Sequence, residues 1–252
     1  MKLANMQHSK CCERKLLWVQ VPPLAHQIMS RRYKPKKVVS FVWSPDLAYV
    51  VGLLVTDGCL SINRKNVIFT SKDIEQIGAV KVILNSKAKV GLTRNRISEA
   101  YRVQISSVQL WDWLASIGLT PHKSLTIGAI NIPDEYFIDF LRGHLDGDGS
   151  ITTYLDRYNT KKKEKYAYER IWTRFISGSQ KHVAWLQKQI IEIIGVHGRL
   201  HVTKPNYIGN SMHILKFGKK ESLKLLSKIY YSDTIPCLSR KKKIYTDFLL
   251  KS

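Results

Sequence analysis

Apolar residues recur along this chain in two rhythms, and the rhythms alternate in the same order in its two halves. Near residue 44 a near-continuous apolar run begins behind Ser44-Pro45, a helix start in which serine caps and proline needs no amide hydrogen. That run, Val50 to Thr56, closes on Asp57-Gly58. Two short strands are predicted next, Cys59–Arg64 and Asn66–Ser71, and Ile74, Ile77, Val80, Ile83 and Leu84 then follow at helical spacing. Strands at Val90–Arg94 and Tyr101–Ser106 come after, with Arg102, Gln104 and Ser106 alternating against Val103 and Ile105, so the three polar residues share one sheet face. A short helix, Val108–Ile117, completes the order αββαββα.

After a segment carrying Pro121, Gly128 and Pro133 the order starts again. A helix from Pro133 to Asp148 is followed by strands at Ser150–Tyr158 and Tyr166–Ser177, a helix at Gln180–Ile194, strands at Arg199–Thr203 and Met212–Phe217, and a helix at Glu221–Tyr230. The expected organisation is a basic arm at 1–43, a first repeat at 44–118, a linker at 119–132, a second repeat at 133–231 and a basic tail at 232–252. Matching Thr70-Ser71-Lys72 with Ser179-Gln180-Lys181 assigns the extra length of the second half to an insertion at Thr160–Arg170. Each repeat also closes with a proline and then basic residues, Pro121-His122-Lys123 and Pro236 through Arg240-Lys241-Lys242-Lys243.

The first helix of each repeat is too apolar for a surface helix. Two of them packed together, with Gly52 and Gly143 letting the backbones approach, would bring Asp57 and Asp148 out side by side. Charge then narrows the partner. With 41 Lys+Arg against 19 Asp+Glu the net charge is +22, a self-repelling excess that makes sense against a polyanion. Without a long apolar span, nucleic acid is favoured over a membrane surface. The four cysteines show no CxxC pair and the eight histidines no ligand spacing, so a reducing intracellular setting is expected: bacterial or archaeal cytoplasm, or an organelle matrix.

The pair Val50-Val51-Gly52-Leu53-Leu54-Val55-Thr56-Asp57-Gly58 and Leu141-Arg142-Gly143-His144-Leu145-Asp146-Gly147-Asp148-Gly149 resembles the motif of LAGLIDADG homing endonucleases in their single-chain, two-motif form, over residues 44–245. Val55, Thr56, Arg142 and His144 depart from the usual pattern. The resemblance implies an α+β fold of two pseudo-symmetric repeats whose curved antiparallel sheets form a saddle over DNA. It implies a monomeric, metal-dependent nuclease cutting one phosphodiester on each strand of a long pseudo-palindromic or asymmetric double-stranded target. Asp57 and Asp148 would hold Mg²⁺ or another divalent cation such as Mn²⁺, with Thr56 and Gly147 in the same shell. Lys72 and Lys181 would stabilise charge or tune the attacking water, and Ser71 and Gln180 would hold that water.

Candidate base readers are Ser61, Asn63, Arg64, Arg94, Arg96, Arg102 and Gln104 in the first half. Tyr154, Arg170, Arg174, Arg199, His201 and Lys204 are their counterparts in the second. An RNA-binding maturase and a non-catalytic DNA-binding regulator are the alternatives on the same scaffold. No intein ends are seen, so a free-standing, intron-encoded protein is the expected form.

Overall fold

The first helix of each repeat forms where the apolar run placed it, and the two pack directly on one another. The computed structural model describes residues 41–94, 99–157, 167–205 and 209–251. The arm at 1–40, Arg96 and the body of the insertion fall outside them, as does the side chain of Arg94. Helix α1, Pro45–Asp57, starts where Ser44 Oγ accepts the Leu47 amide at 3.1 Å. Its partner α4, Phe137–Asp146, follows a 3₁₀ turn at Asp134–Tyr136. The crossing leaves no room for a side chain at its centre. A Cβ on Gly52 would lie 2.2 Å from the Phe140 carbonyl oxygen, and one on Gly143 would lie 2.0 Å from that of Tyr49. Only glycine fits at either position.

Each helix leads into its own four-stranded antiparallel sheet. The first sheet holds β1 (Gly58–Leu60), β2 (Asn66–Ser71), β3 (Val90–Arg94) and β4 (Glu99–Ser106) in the order β1-β2-β4-β3. The second holds β5 (Ser150–Asp156), β6 (Tyr168–Ser177), β7 (Arg199–Val202) and β8 (His213–Phe217) in the order β5-β6-β8-β7, the same topology. Helices α2 (Ile74–Ile83) and α5 (Gln180–Ile194) cross between the hairpins, and α3 (Val108–Ser116) and α6 (Lys219–Ile229) close the two halves. Alternation along the strands buries Val67, Phe69 and Val103 in one sheet and Ile171, Phe175, Leu215 and Phe217 in the other. These join Leu53, Leu54, Phe140 and Leu145 from α1 and α4 in one core. Trp111, Trp113 and Trp185 pack half-buried against that core.

Two features differ from the sequence expectation. The basic stretch at the C-terminal end is not all tail: Ser239–Lys251 forms a further helix, α7, burying Lys241, Tyr245 and Phe248 at helical spacing. The second is the repeat offset after the first strands. The N-caps of α2 and α5 are Asp73 and Ser179, and 179 − 73 gives 106. On that offset Lys72 stands opposite Gly178, and Lys181 opposite Glu75, so the two lysines are not equivalent positions. Among the described residues no helix is long and apolar enough to cross a membrane.

Candidate active site

The ends of α1 and α4 meet where both segments leave the crossing. Gly147 sits against the end of α1, where a Cβ would lie 1.9 Å from Thr56 Oγ1 and 3.0 Å from Asp57 Oδ2. Asp57 and Asp148 are thereby close enough to titrate together. Burial, and next the neighbouring Asp148, push the Asp57 carboxyl up to about 7. Asp148 reaches solvent, yet the protein packed on its inner side raises its carboxyl also. Two carboxylates confined together repel, and what relieves them is a cation between or beside them.

Two lysines stand beside the pair without neutralising it by direct contact. Lys123 is buried and donates from Nζ to the Thr56 carbonyl at 2.9 Å, capping α1. Lys241, at the start of α7, has Nζ within 2.7, 2.8, 3.1 and 2.6 Å of the carbonyl oxygens of Leu145, Asp146, Gly147 and Gly149. Burial lowers the Lys123 ammonium below its ordinary range and takes Lys241 down to about 8, while the aspartates oppose both shifts. Each lysine therefore caps the motif helix of its own half and leaves the aspartates without an ammonium partner; Asp57 Oδ2 accepts a long bond from the Thr56 hydroxyl at 3.4 Å. The two are unequal. An ammonium has three hydrogens, so Lys241 is saturated by four carbonyls and Lys123 has donors to spare.

Behind this front lies a polar network carried by α4. Arg142 is fully buried and donates to the Pro236 carbonyl at 2.8 Å, the Ile229 carbonyl at 3.2 Å and Asp139 at 2.7 Å. Asp146 accepts from the Leu238 amide at 2.7 Å and the Tyr49 hydroxyl at 3.1 Å, and burial raises its carboxyl to about 6. These bonds fix the segment that leads into Lys241. The linker leading from Lys123 is fixed by a second set: His182 Nδ1 to the Gly128 carbonyl at 2.7 Å, His144 Nε2 to His182 Nε2 at 3.0 Å, and Ser179 Oγ to the Ile127 carbonyl at 2.5 Å. Burial drives the His182 imidazole down to about 4 and His144 well below its usual range, so both are neutral near pH 7. With His182 donating from Nδ1, its Nε2 accepts the His144 proton. His144 Nδ1 is then left as a buried lone pair with no partner.

The other residues singled out in the sequence are distributed as follows. Lys72, Gln180 and Lys181 are exposed, and the cations acting on the aspartates are Lys123 and Lys241. Ser71 is buried and donates to Gln76 Oε1 at 2.5 Å, while Gln76 Nε2 donates to the Asp146 carbonyl at 2.8 Å. The carbonyls of Thr56 and Gly147 each already accept a lysine hydrogen. Arg64 is held at 2.6 Å by Asp112 and over the Trp111 ring, and Ser61 Oγ bonds Asn63 within the β1–β2 turn. Arg102 and Gln104 share a face with their cross-strand partners Thr70 and Ile68. Arg170 pairs with Asp156 at 3.2 Å, directly opposite Tyr154. Arg174 lies opposite Ser150, and Arg199, His201 and Lys204 lie exposed on or beyond the edge strand β7.

Two carboxylates with raised pKa and no ammonium partner fit a hard dication that takes its remaining ligands from water and phosphate. Among the described residues no group of three or more His, Cys, Asp or Glu side chains converges.

No protein-family model matches this sequence. An uncharacterised protein of Methanocaldococcus jannaschii, MJ0398, is 23% identical over 181 residues, a match spanning 68% of this chain and 57% of that protein. Solved structures share the fold. The homing endonuclease I-DmoI in complex with DNA and Ca superposes with a TM-score of 0.52 at 15% identity, over 80% of this chain and 97% of that one. The homing endonuclease I-WcaI bound to its DNA recognition sequence gives 0.52 at 14% identity, over 80% and 87%. Full-length DUF199/WhiA from Thermatoga maritima gives 0.50 at 12% identity, over 85% and 64%. The architecture is thus the α+β fold of LAGLIDADG proteins, with two four-stranded antiparallel sheets.

Proposed function

We propose that this chain is a metal-dependent endonuclease that cuts both strands of a specific double-stranded DNA site. The observation that carries the reading is the junction of α1 and α4. Asp57 and Asp148 are held together there with no ammonium on their oxygens, Asp57 taking a long bond from the Thr56 hydroxyl at 3.4 Å, while the nearby lysines donate to backbone carbonyls. A chain that used these acids only to shape a turn would gain by pairing them with the ammonium groups already present. Nucleases of this fold that bind DNA and calcium support the reading.

Asp57 and Asp148 would hold the dication, Mg²⁺ or Mn²⁺, which when bound polarises the scissile phosphate and lowers the pKa of water. The chain's own groups do the rest. Lys123, with hydrogens free beyond its bond to Thr56, faces the charge that develops on a phosphate oxygen. Lys241 sets the path of residues 145–149 and with it the place of Asp148. The charge-stabilising role that sequence alone gave to Lys72 and Lys181 passes to Lys123, and Lys241 has a positioning role. One chain supplies both acids, so the working form is a monomer, encoded within an intron and acting on a long target.

Cleavage of a randomised DNA library in Mg²⁺, beside a Ca²⁺ control, tests this. One enriched cut site that requires Mg²⁺ supports the endonuclease. Tight binding to DNA or RNA with no cut in any divalent metal would assign the chain to the regulator or maturase class instead.

A further inference from the structure

The exposed faces of the two sheets are built differently, although their topology is the same. In the second sheet the strand register sets Arg174 opposite Lys216, and Lys216 opposite Arg199, so three cations form one row across β6, β8 and β7. Ser150, two residues beyond Asp148, is the partner of Arg174 on its other side, which puts the row next to the acid pair. Directly opposed like charges on a sheet destabilise it. No carboxylate offsets the repulsion: among the described residues none of the three forms an ion pair, and Arg174 has only a long bond to the Thr152 hydroxyl at 3.4 Å. Arg174 Nε is buried without a partner, and burial together with Arg174 lowers the Lys216 ammonium.

Trp172 braces the row. The Lys216 Nζ lies 2.9 Å from the centre of its ring and the Arg174 guanidinium 5.4 Å, with Tyr154 edge-on at 5.1 Å. On the offset of 106 set by the helix caps, the first sheet has Asn66 where Trp172 stands and Ile68 where Arg174 stands. Gln104, opposite Ile68, takes the place of Lys216. Neutral groups thus stand in the places of Arg174 and Lys216, while the register that sets Val90 opposite Val103 leads to Lys89 in the place of Arg199.

We infer that the second sheet is the anchoring half of the DNA interface: Arg174 and Lys216, held against Trp172, bind duplex DNA regardless of its sequence, and the first sheet adds little to that binding. This rests on the DNA reading above and assigns the two halves unequal work. An uncompensated row is tolerated in the free protein because a polyanion neutralises it in the complex.

The test uses the full chain and a labelled duplex of randomised sequence, with Kd measured over a range of salt. Arg174→Gln/Lys216→Gln should weaken binding about tenfold and lower the slope of log Kd against log salt by about 2. Arg102→Gln, on the first sheet, should change Kd by less than about twofold. Without DNA at low salt, the double variant should unfold at a higher temperature than wild type, since repulsion has been removed. The inference is overturned if Lys81→Gln/Lys188→Gln, which removes two charges from the helices, weakens binding as much, or if Arg102→Gln matches the double variant. It is also overturned if the double variant binds like wild type while wild-type binding remains strong. If the wild-type chain binds no duplex but binds single-stranded RNA, the DNA reading of the whole protein falls with it.

Discussion

Helices α1 and α4 occupy equivalent places and cross through equivalent glycines, yet they hold their halves together by opposite means. Where α1 has Val51, Leu53 and Val55, α4 has Arg142, His144 and Asp146, all six buried. The first half anchors the segment after its last helix with Leu119, Ile127 and Ile130 in the core. The second anchors its counterpart with directional bonds from Arg142 and Asp146 to the backbone of residues 229–238. Apolar burial is forgiving in position and contributes in proportion to area. A buried polar network is costly when partly dismantled and fixes geometry closely when complete. What it fixes here is the approach to Lys241, whose four carbonyl contacts shape the loop that carries Asp148.

The sharpest way to break the comparison is substitution at one equivalent position in each helix. Arg142→Ala should lower stability by about 3–5 kcal/mol, because Asp139 is left buried without its cation and with the Tyr231 hydroxyl alone to donate to it. Val51→Ala should cost about 1–3 kcal/mol from lost packing alone. Urea unfolding of the two variants measures both, and equal losses would show that the α4 network is no more than filler. The next contrast lies between the lysines. Lys241→Met should cost about 2–3 kcal/mol through the carbonyls it abandons. Lys123→Met should stay within about 1 kcal/mol of wild type, since one buried charge with one bond is exchanged for an apolar side chain. Cleavage should nevertheless fall in Lys123→Met, so stability and activity separate at this residue.

The smallest effect concerns the histidine bridge. The folded-state pKa of His182 is depressed to about 4. Its contribution to stability is therefore complete above the ordinary value of about 6.5 and is lost as pH falls through about 4. Gln76 stands at the same place in the first half, on the offset 182 − 106, and donates to a backbone carbonyl much as His182 bonds Gly128. His182→Gln should fold and should flatten the loss of stability between about pH 6.5 and 4 relative to wild type. Matching acid limbs in the two proteins would remove His182 from that titration.

Much of this arrangement was legible in the chain itself. The apolar runs ending in Asp-Gly, the glycines within them and the strand alternation give the element order of both repeats, because local pattern determines those features. The lysines at the site were not legible from pattern. Lys241 sits within Arg240-Lys241-Lys242-Lys243, where only burial beneath α4 separates it from its neighbours. The same charge run obscured α7, although Lys241, Tyr245 and Phe248 already carried helical spacing. Pairing Lys72 with Lys181 relied on similar polar residues at loop ends, whereas the cap positions set the register three residues away. Arg142 and His144 read as departures from a motif; their partners Pro236 and His182 lie 94 and 38 residues away.

Whether the acids at the α1–α4 junction are a catalytic pair is decided by Asp57→Asn and Asp148→Asn on the site recovered from the library. Cleavage of both strands in Mg²⁺ and duplex binding in Ca²⁺ would be followed together. The expected result is loss of double-strand cleavage in each variant, with Kd in Ca²⁺ within about threefold of wild type. Cleavage that persists in either variant, or binding that disappears with it, would contradict the assignment.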